Sequence, residues 1–271
     1  MLKKQLILSA VAVAAVLLLF MLPKVVVDNE NEDMQQTAEG ENAAVSDGEH
    51  TSDLPEDVQA ELTKLREAYR NSKNSENFTN FANSLIEGFI SANQYDSAAF
   101  YAEEVAELEG TTANQRRAAD LYYEAFTFAM SAEKTARMGE KARSYYQKVR
   151  EQDPSDLDAK AKMAMTYVSS SNPMQGIQML REVLEEDSNN SLAIYNLGLL
   201  SMQSQQYDKA VDRFEKLVTL EPEHLQAQFL LGVSYFEAGD KAKAKEQFLK
   251  VKKMDNDPSV QASIDEYLNQ L

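Results

Sequence analysis

The order of apolar and polar positions divides the chain into three regimes. From Gln5 to Leu22 apolar residues are nearly continuous, reading QLILSAVAVAAVLLLFML. From Asp28 to Asp53 they almost vanish (DNENEDMQQTAEGENAAVSDGEHTSD). From Leu54 onward they return at intervals of three and four, as in helices that bury one face. The first regime, eighteen residues long, would span roughly 27 Å as a helix, near the thickness of a bilayer core. The second has too few apolar groups and too much like charge to offset its ordering entropy, which predicts a solvated acidic tether.

The third regime predicts an all-α array. Asp53 can cap a helix opening at Leu54, and Val58, Leu62, Leu65 and Tyr69 fall on one face, predicting an N-terminal capping helix over 54–78. Downstream, an offset of 34 residues superposes Met163, Ala164, Tyr167, Gly176 and Leu180 on Leu197, Gly198, Ser201, Ala210 and Phe214. The same positions recur as Leu231, Gly232, Tyr235, Ala244 and Phe248, and earlier as Ala142, Tyr146 and Pro154 in the places of Ala210, Phe214 and Pro222. A degenerate unit at 79–112 carries Phe89 and Tyr95–Ala98, with Gly110 in place of the final proline. The extra residues Ala113–Tyr122 are expected to lengthen the next unit's first helix. The expected division is 1–27, 28–53, 54–78, five units (79–112, 113–156, 157–190, 191–224, 225–258) and a closing helix over 259–271. There Val260, Ile264, Tyr267, Leu268 and Leu271 repeat at helical spacing.

This pattern resembles the tetratricopeptide repeat, a 34-residue helix–turn–helix unit with a Leu-Gly pair, an aromatic three residues on, then Ala, an aromatic and Pro. Leu197, Gly198, Ala210, Phe214 and Pro222 match it most fully, with Ile194 and Ser201 replacing the usual Trp and Tyr; Leu231, Gly232, Tyr235, Ala244 and Phe248 follow. The resemblance implies a right-handed superhelical solenoid of antiparallel helix pairs, with a concave groove lined by each unit's first helix. Carried over by position, groove residues are Ala161, Met165 and Val168, then Leu192, Tyr195, Leu199, Met202 and Gln203, then Gln226, Phe229, Val233, Phe236 and Glu237. The alternative is that Tyr195, Phe229 and Phe236 only pack between helices. Members that grip a terminal carboxylate use Lys and Asn where this chain has Tyr195, Leu199 and Gln203, so an apolar segment is the expected ligand.

Charge and chemistry narrow the function. The net charge is −17, and residues 28–61 hold twelve acidic and no basic residues. With Lys and Arg read as nowhere clustered, no nucleic-acid partner is expected. The absence of cysteine excludes disulfides, thiolate chemistry and lipidation through sulfur. The two histidines, His50 and His224, make no pair at ligand or general-base spacing, and acidic neighbours such as Glu103 with Glu104 or Glu185 with Glu186 point in different directions on a helix. No enzyme, metal or cofactor is expected.

Lys3 and Lys4 precede the apolar run, and bulky Phe20, Met21 and Leu22 end it where a signal peptidase needs small side chains. This favours an uncleaved signal anchor over a cleaved signal peptide, with the N-terminus cytoplasmic and the array periplasmic or otherwise extracytoplasmic. The expected role is a membrane-tethered scaffold, adaptor or assembly factor holding client polypeptides, similar to anchored repeat proteins of cytochrome c maturation or envelope assembly. A homo-oligomerising structural protein is the alternative.

Overall fold

The computed structural model describes residues 55–72 and 75–271, and among them forms twelve α-helices and no strand. These are α1 Glu56–Arg70, α2 Ser75–Ser91, α3 Tyr95–Glu109, α4 Thr112–Thr127, α5 Ala132–Gln152, α6 Leu157–Val168, α7 Pro173–Glu186, α8 Ser191–Gln203, α9 Tyr207–Leu220, α10 Leu225–Glu237, α11 Lys241–Met254 and α12 Pro258–Gln270. Each helix packs chiefly on the one before and the one after, which makes an all-helical solenoid of five hairpins, α2–α3 to α10–α11, flanked by α1 and α12. Asp53, the expected cap, lies outside the described residues. The structure starts the first helix at Glu56 after Pro55, whose side chain makes no capping hydrogen bond.

The repeat dictates where helices begin. Asp156, Asn190 and His224 stand 34 residues apart and serve one purpose: each side chain accepts from the backbone N–H three residues on, at Ala159 (2.9 Å), Ala193 (2.9 Å) and Ala227 (3.3 Å). An orphan donor of the first turn is thereby satisfied. Asp156 also pairs with Arg116 of α4. Replacing Asp156 with alanine is therefore expected to cost about 1–2 kcal/mol, read as a lower denaturant midpoint than for Glu185→Ala, on an exposed helix face.

The last cap gives a pH-dependent element. Asp257 accepts from the hydroxyl and backbone N–H of Ser259 and from the N–H of Val260 at the start of α12. These bonds, the Ser259 hydroxyl's foremost, hold its carboxyl below the ordinary carboxylate value. A folded pKa below the unfolded one means that the stabilisation is complete above the unfolded value and lost as pH falls through the folded one. Exchange protection of α12 amides should therefore drop as pH goes below about 4, and Asp257→Asn should flatten that response.

Inside the hairpins, small residues let helices approach. A Cβ on Gly198 would stand 2.7 Å from the Phe214 ring, and one on Gly232 2.9 Å from Phe248. Both phenylalanines are fully buried, as are Ala210 and Ala244. Successive hairpins are also joined by polar contacts. Glu103 of α3 accepts from Tyr122, from Tyr145 at 3.1 Å and from Lys141 at 2.7 Å. Glu215 of α9 accepts from Tyr235 and lies 3.7 Å from Lys243. Burial first, then these carboxylates, push the Tyr122, Tyr145 and Tyr235 phenols upward, so they stay protonated donors.

The second hairpin departs from expectation. Its first helix, α4, has 16 residues against 13 in α8 and in α10, whereas its second, α5, has 21 against 14 in α7, α9 and α11. Most of the additional length enters α5, because the turn 128–131 falls earlier than 135–138, where an offset of 34 from the turn 169–172 would place it.

Candidate partner-binding surface

Helices α6, α8 and α10 open successive hairpins, and α6 also touches α8 directly. Helix α8 (SLAIYNLGLLSMQ) carries no charged residue. One side, with Ala193, Ile194, Leu197, Gly198 and Ser201, is buried. Another, with Leu192, Tyr195, Leu199 and Met202 at spacings of three, four and three, is only half-buried, and Gln203 is exposed. Tyr195 meets Phe214 edge-on at 6.2 Å and stacks on His224 at 5.6 Å. Burial raises the Tyr195 phenol above its ordinary value. The ring is thus held from behind with one edge outward.

The other positions expected to line a groove divide. Met165 and Val168 are half-buried, while Ala161 is fully buried among α6, α7 and α8 and offers no surface. On α10, Gln226 and Glu237 are exposed, and Val233 is 8% exposed and belongs to the core. Phe229 and Phe236 lie 5.9 and 5.4 Å from the Tyr267 ring. They help hold α12 because Tyr267 also stacks on Phe248 at 4.9 Å. The stripe on α8 rests partly on the core and keeps part of its area open.

Two features escaped sequence reasoning. Asn196 is 5% exposed and its side-chain amide nitrogen has no acceptor among the described residues. It neighbours Tyr195 and lies one helical turn from Leu192 and Leu199. The signal was a lone amide in an otherwise apolar run. The second is a correction: Lys and Arg do cluster, since α11 (KAKAKEQFLKVKKM) has six lysines and one glutamate. Several are engaged, Lys243 near Glu215, Lys250 at 3.0 Å from the Gln228 side-chain oxygen and Lys252 on Asp265.

His224 is a helix cap, as above, and His50 lies outside the described residues. Among the described residues no three His, Asp or Glu side chains gather as a metal site, and no helix is long and apolar enough to cross a membrane. The run Gln5–Leu22 and the acidic stretch 28–53 lie outside them.

The hairpin geometry, the glycine–aromatic contacts and the 34-residue cap spacing have a counterpart among known proteins. Residues 195–259 match the tetratricopeptide repeat family. The matched stretch runs from α8 to the start of α12. The type IV pilus assembly protein PilF of Pseudomonas aeruginosa is 31% identical over 124 residues, which cover 45% of this chain and 49% of that one. The match thus spans about half the length of that relative. A tetratricopeptide repeat protein from Parabacteroides merdae superposes with a TM-score of 0.55 at 19% identity, covering 79% of this chain and 80% of that one; this likeness is one of fold. A solved structure of Pseudomonas aeruginosa PilF gives 0.46 at 26% identity, covering 58% and 70%.

Proposed function

We propose that this protein is a non-enzymatic scaffold, tethered to a membrane through residues 5–22, that holds a client polypeptide along α8. One observation carries the reading: α8 is apolar on two sides, and the fold fully buries only one. Leu192, Tyr195, Leu199 and Met202 would take the apolar side chains of an extended or helical segment, with rigid and adaptable groups side by side. No group on this surface is arranged to activate a nucleophile or hold a metal.

The partial likeness to a pilus assembly protein supports an assembly role, with clients drawn from exported or envelope proteins. The alternative occupant is a second copy of the chain. Light scattering of the full chain in detergent separates the two. A mass independent of concentration supports a client. A mass that rises with concentration and returns to the protomer value in Leu199→Glu would replace the client with the second copy.

A further inference from the structure

The hairpins turn at two opposite ends of the helix stack. Five turns follow the hairpins, 110–111, 153–156, 187–190, 221–224 and 255–257, and hold seven acidic residues and no Lys or Arg. The five turns within the hairpins, 92–94, 128–131, 169–172, 204–206 and 238–240, hold a single charged residue, Asp240. The three most exposed large apolar side chains among the described residues all belong to this second end. They are Phe128 (62%), Met130 (fully exposed) and Met174 (67%, second residue of α7). Phe128 stacks on Tyr95 with ring centroids 5.2 Å apart, so it is braced in its exposed position. Large apolar groups projecting together from uncharged turns point to an apolar surface that they meet.

The direction of the chain says which surface. Tyr69, at the end of α1, packs on Phe78, at the start of α2, with centroids 4.6 Å apart, and Leu62, in the first half of α1, covers Gly88 near the end of α2. Helix α1 therefore runs antiparallel to α2 and begins at the end where the hairpins turn internally. Pro55, the first described residue, therefore lies at the end that carries Phe128, Met130 and Met174, and the apolar run Gln5–Leu22 precedes it in the chain.

We propose that this end faces the bilayer, with Phe128, Met130 and Met174 resting in the lipid headgroup layer and the seven acidic turn residues pointing away from it. The inference rests on the reading of residues 5–22 as a membrane anchor. Aromatic and flexible apolar side chains suit the boundary between headgroups and acyl chains.

The chain has no cysteine, so full-length variants Met130→Cys, Ser171→Cys and Glu223→Cys can each carry one environment-sensitive dye. They are reconstituted in phosphatidylcholine–phosphatidylglycerol vesicles with a nitroxide on the headgroup. The dyes at 130 and 171 should lose most of their emission to the nitroxide, and the dye at 223 should keep its emission. Ser171 guards against a dye that inserts only because its site was apolar. Equal quenching at all three positions, or none at any in protein that floats with vesicles, overturns the proposal alone. Failure of the full chain to float overturns the anchor reading with it. A dye at 130 that the headgroup nitroxide does not quench but that is shielded from a water-soluble quencher assigns this end to a protein contact and also overturns the proposal.

Discussion

Gly176→Ala should be among the most damaging single-methyl changes in the array. A Cβ at Gly176 would lie 2.3 Å from the Ala164 carbonyl oxygen, 2.7 Å from Cγ2 of Val168 and 2.8 Å from the Val168 backbone nitrogen. Two of these atoms are backbone, so relief requires α7 to move away from α6. Such overpacking costs about 1–3 kcal/mol or more, and the better helix propensity of alanine returns less than about 1 kcal/mol. The net expectation is a loss of roughly 2 kcal/mol. Gly198→Ala should cost less than Gly176→Ala, because its added methyl meets the Phe214 ring and not backbone. Urea melts of the two variants beside wild type check the order. Equal midpoints for Gly176→Ala and wild type would show that α6 and α7 do not approach as closely as described.

The second large effect concerns binding. Tyr195→Glu and Leu199→Glu each place a charge on the half-buried side of α8, where a client would desolvate it without a counter-charge. Removing a central aromatic or aliphatic contact costs about 2 kcal/mol at an interface hot spot, more than tenfold in Kd. Both variants should keep wild-type helical content and lose client capture at least tenfold. Phe236→Glu should behave differently. Its ring lies 5.4 Å from Tyr267, so the variant should loosen α12 and lower the melting temperature before any effect on binding. Unfolding of Tyr195→Glu, or undiminished capture by both α8 variants, would return Tyr195 to the role of interhelical packing.

This division marks where the sequence could be read. The offset of 34 located Gly176, Gly198 and Gly232 because close helix crossings tolerate no side chain there, and the structure places a helix partner over each. Caps at Asp156, Asn190 and His224 were equally available in the same register. A repeat, however, reports total length and not its allocation, so the additional residues of the second unit were expected in α4 and appear mostly in α5. Positional rules for a groove assume another unit beyond each helix. In the last unit the neighbour is α12, and Tyr267 engages Phe229 and Phe236. The lysines of α11 were hidden by a net charge averaged over an acidic chain. Asn196 shows in the sequence only as an amide in an apolar run, and that it finds no acceptor among the described residues is visible only in the structure.

The most direct measurement places a photoreactive amino acid at Leu192, Leu199 or Met202 in the full chain, and at Lys245 or Glu185 on exposed outer-helix positions, in native membranes. Polypeptide adducts at the three α8 positions, and far fewer at the two outer ones, are expected of a scaffold that holds its client along α8. Adducts spread equally over both sets, or confined to the outer helices, would contradict it.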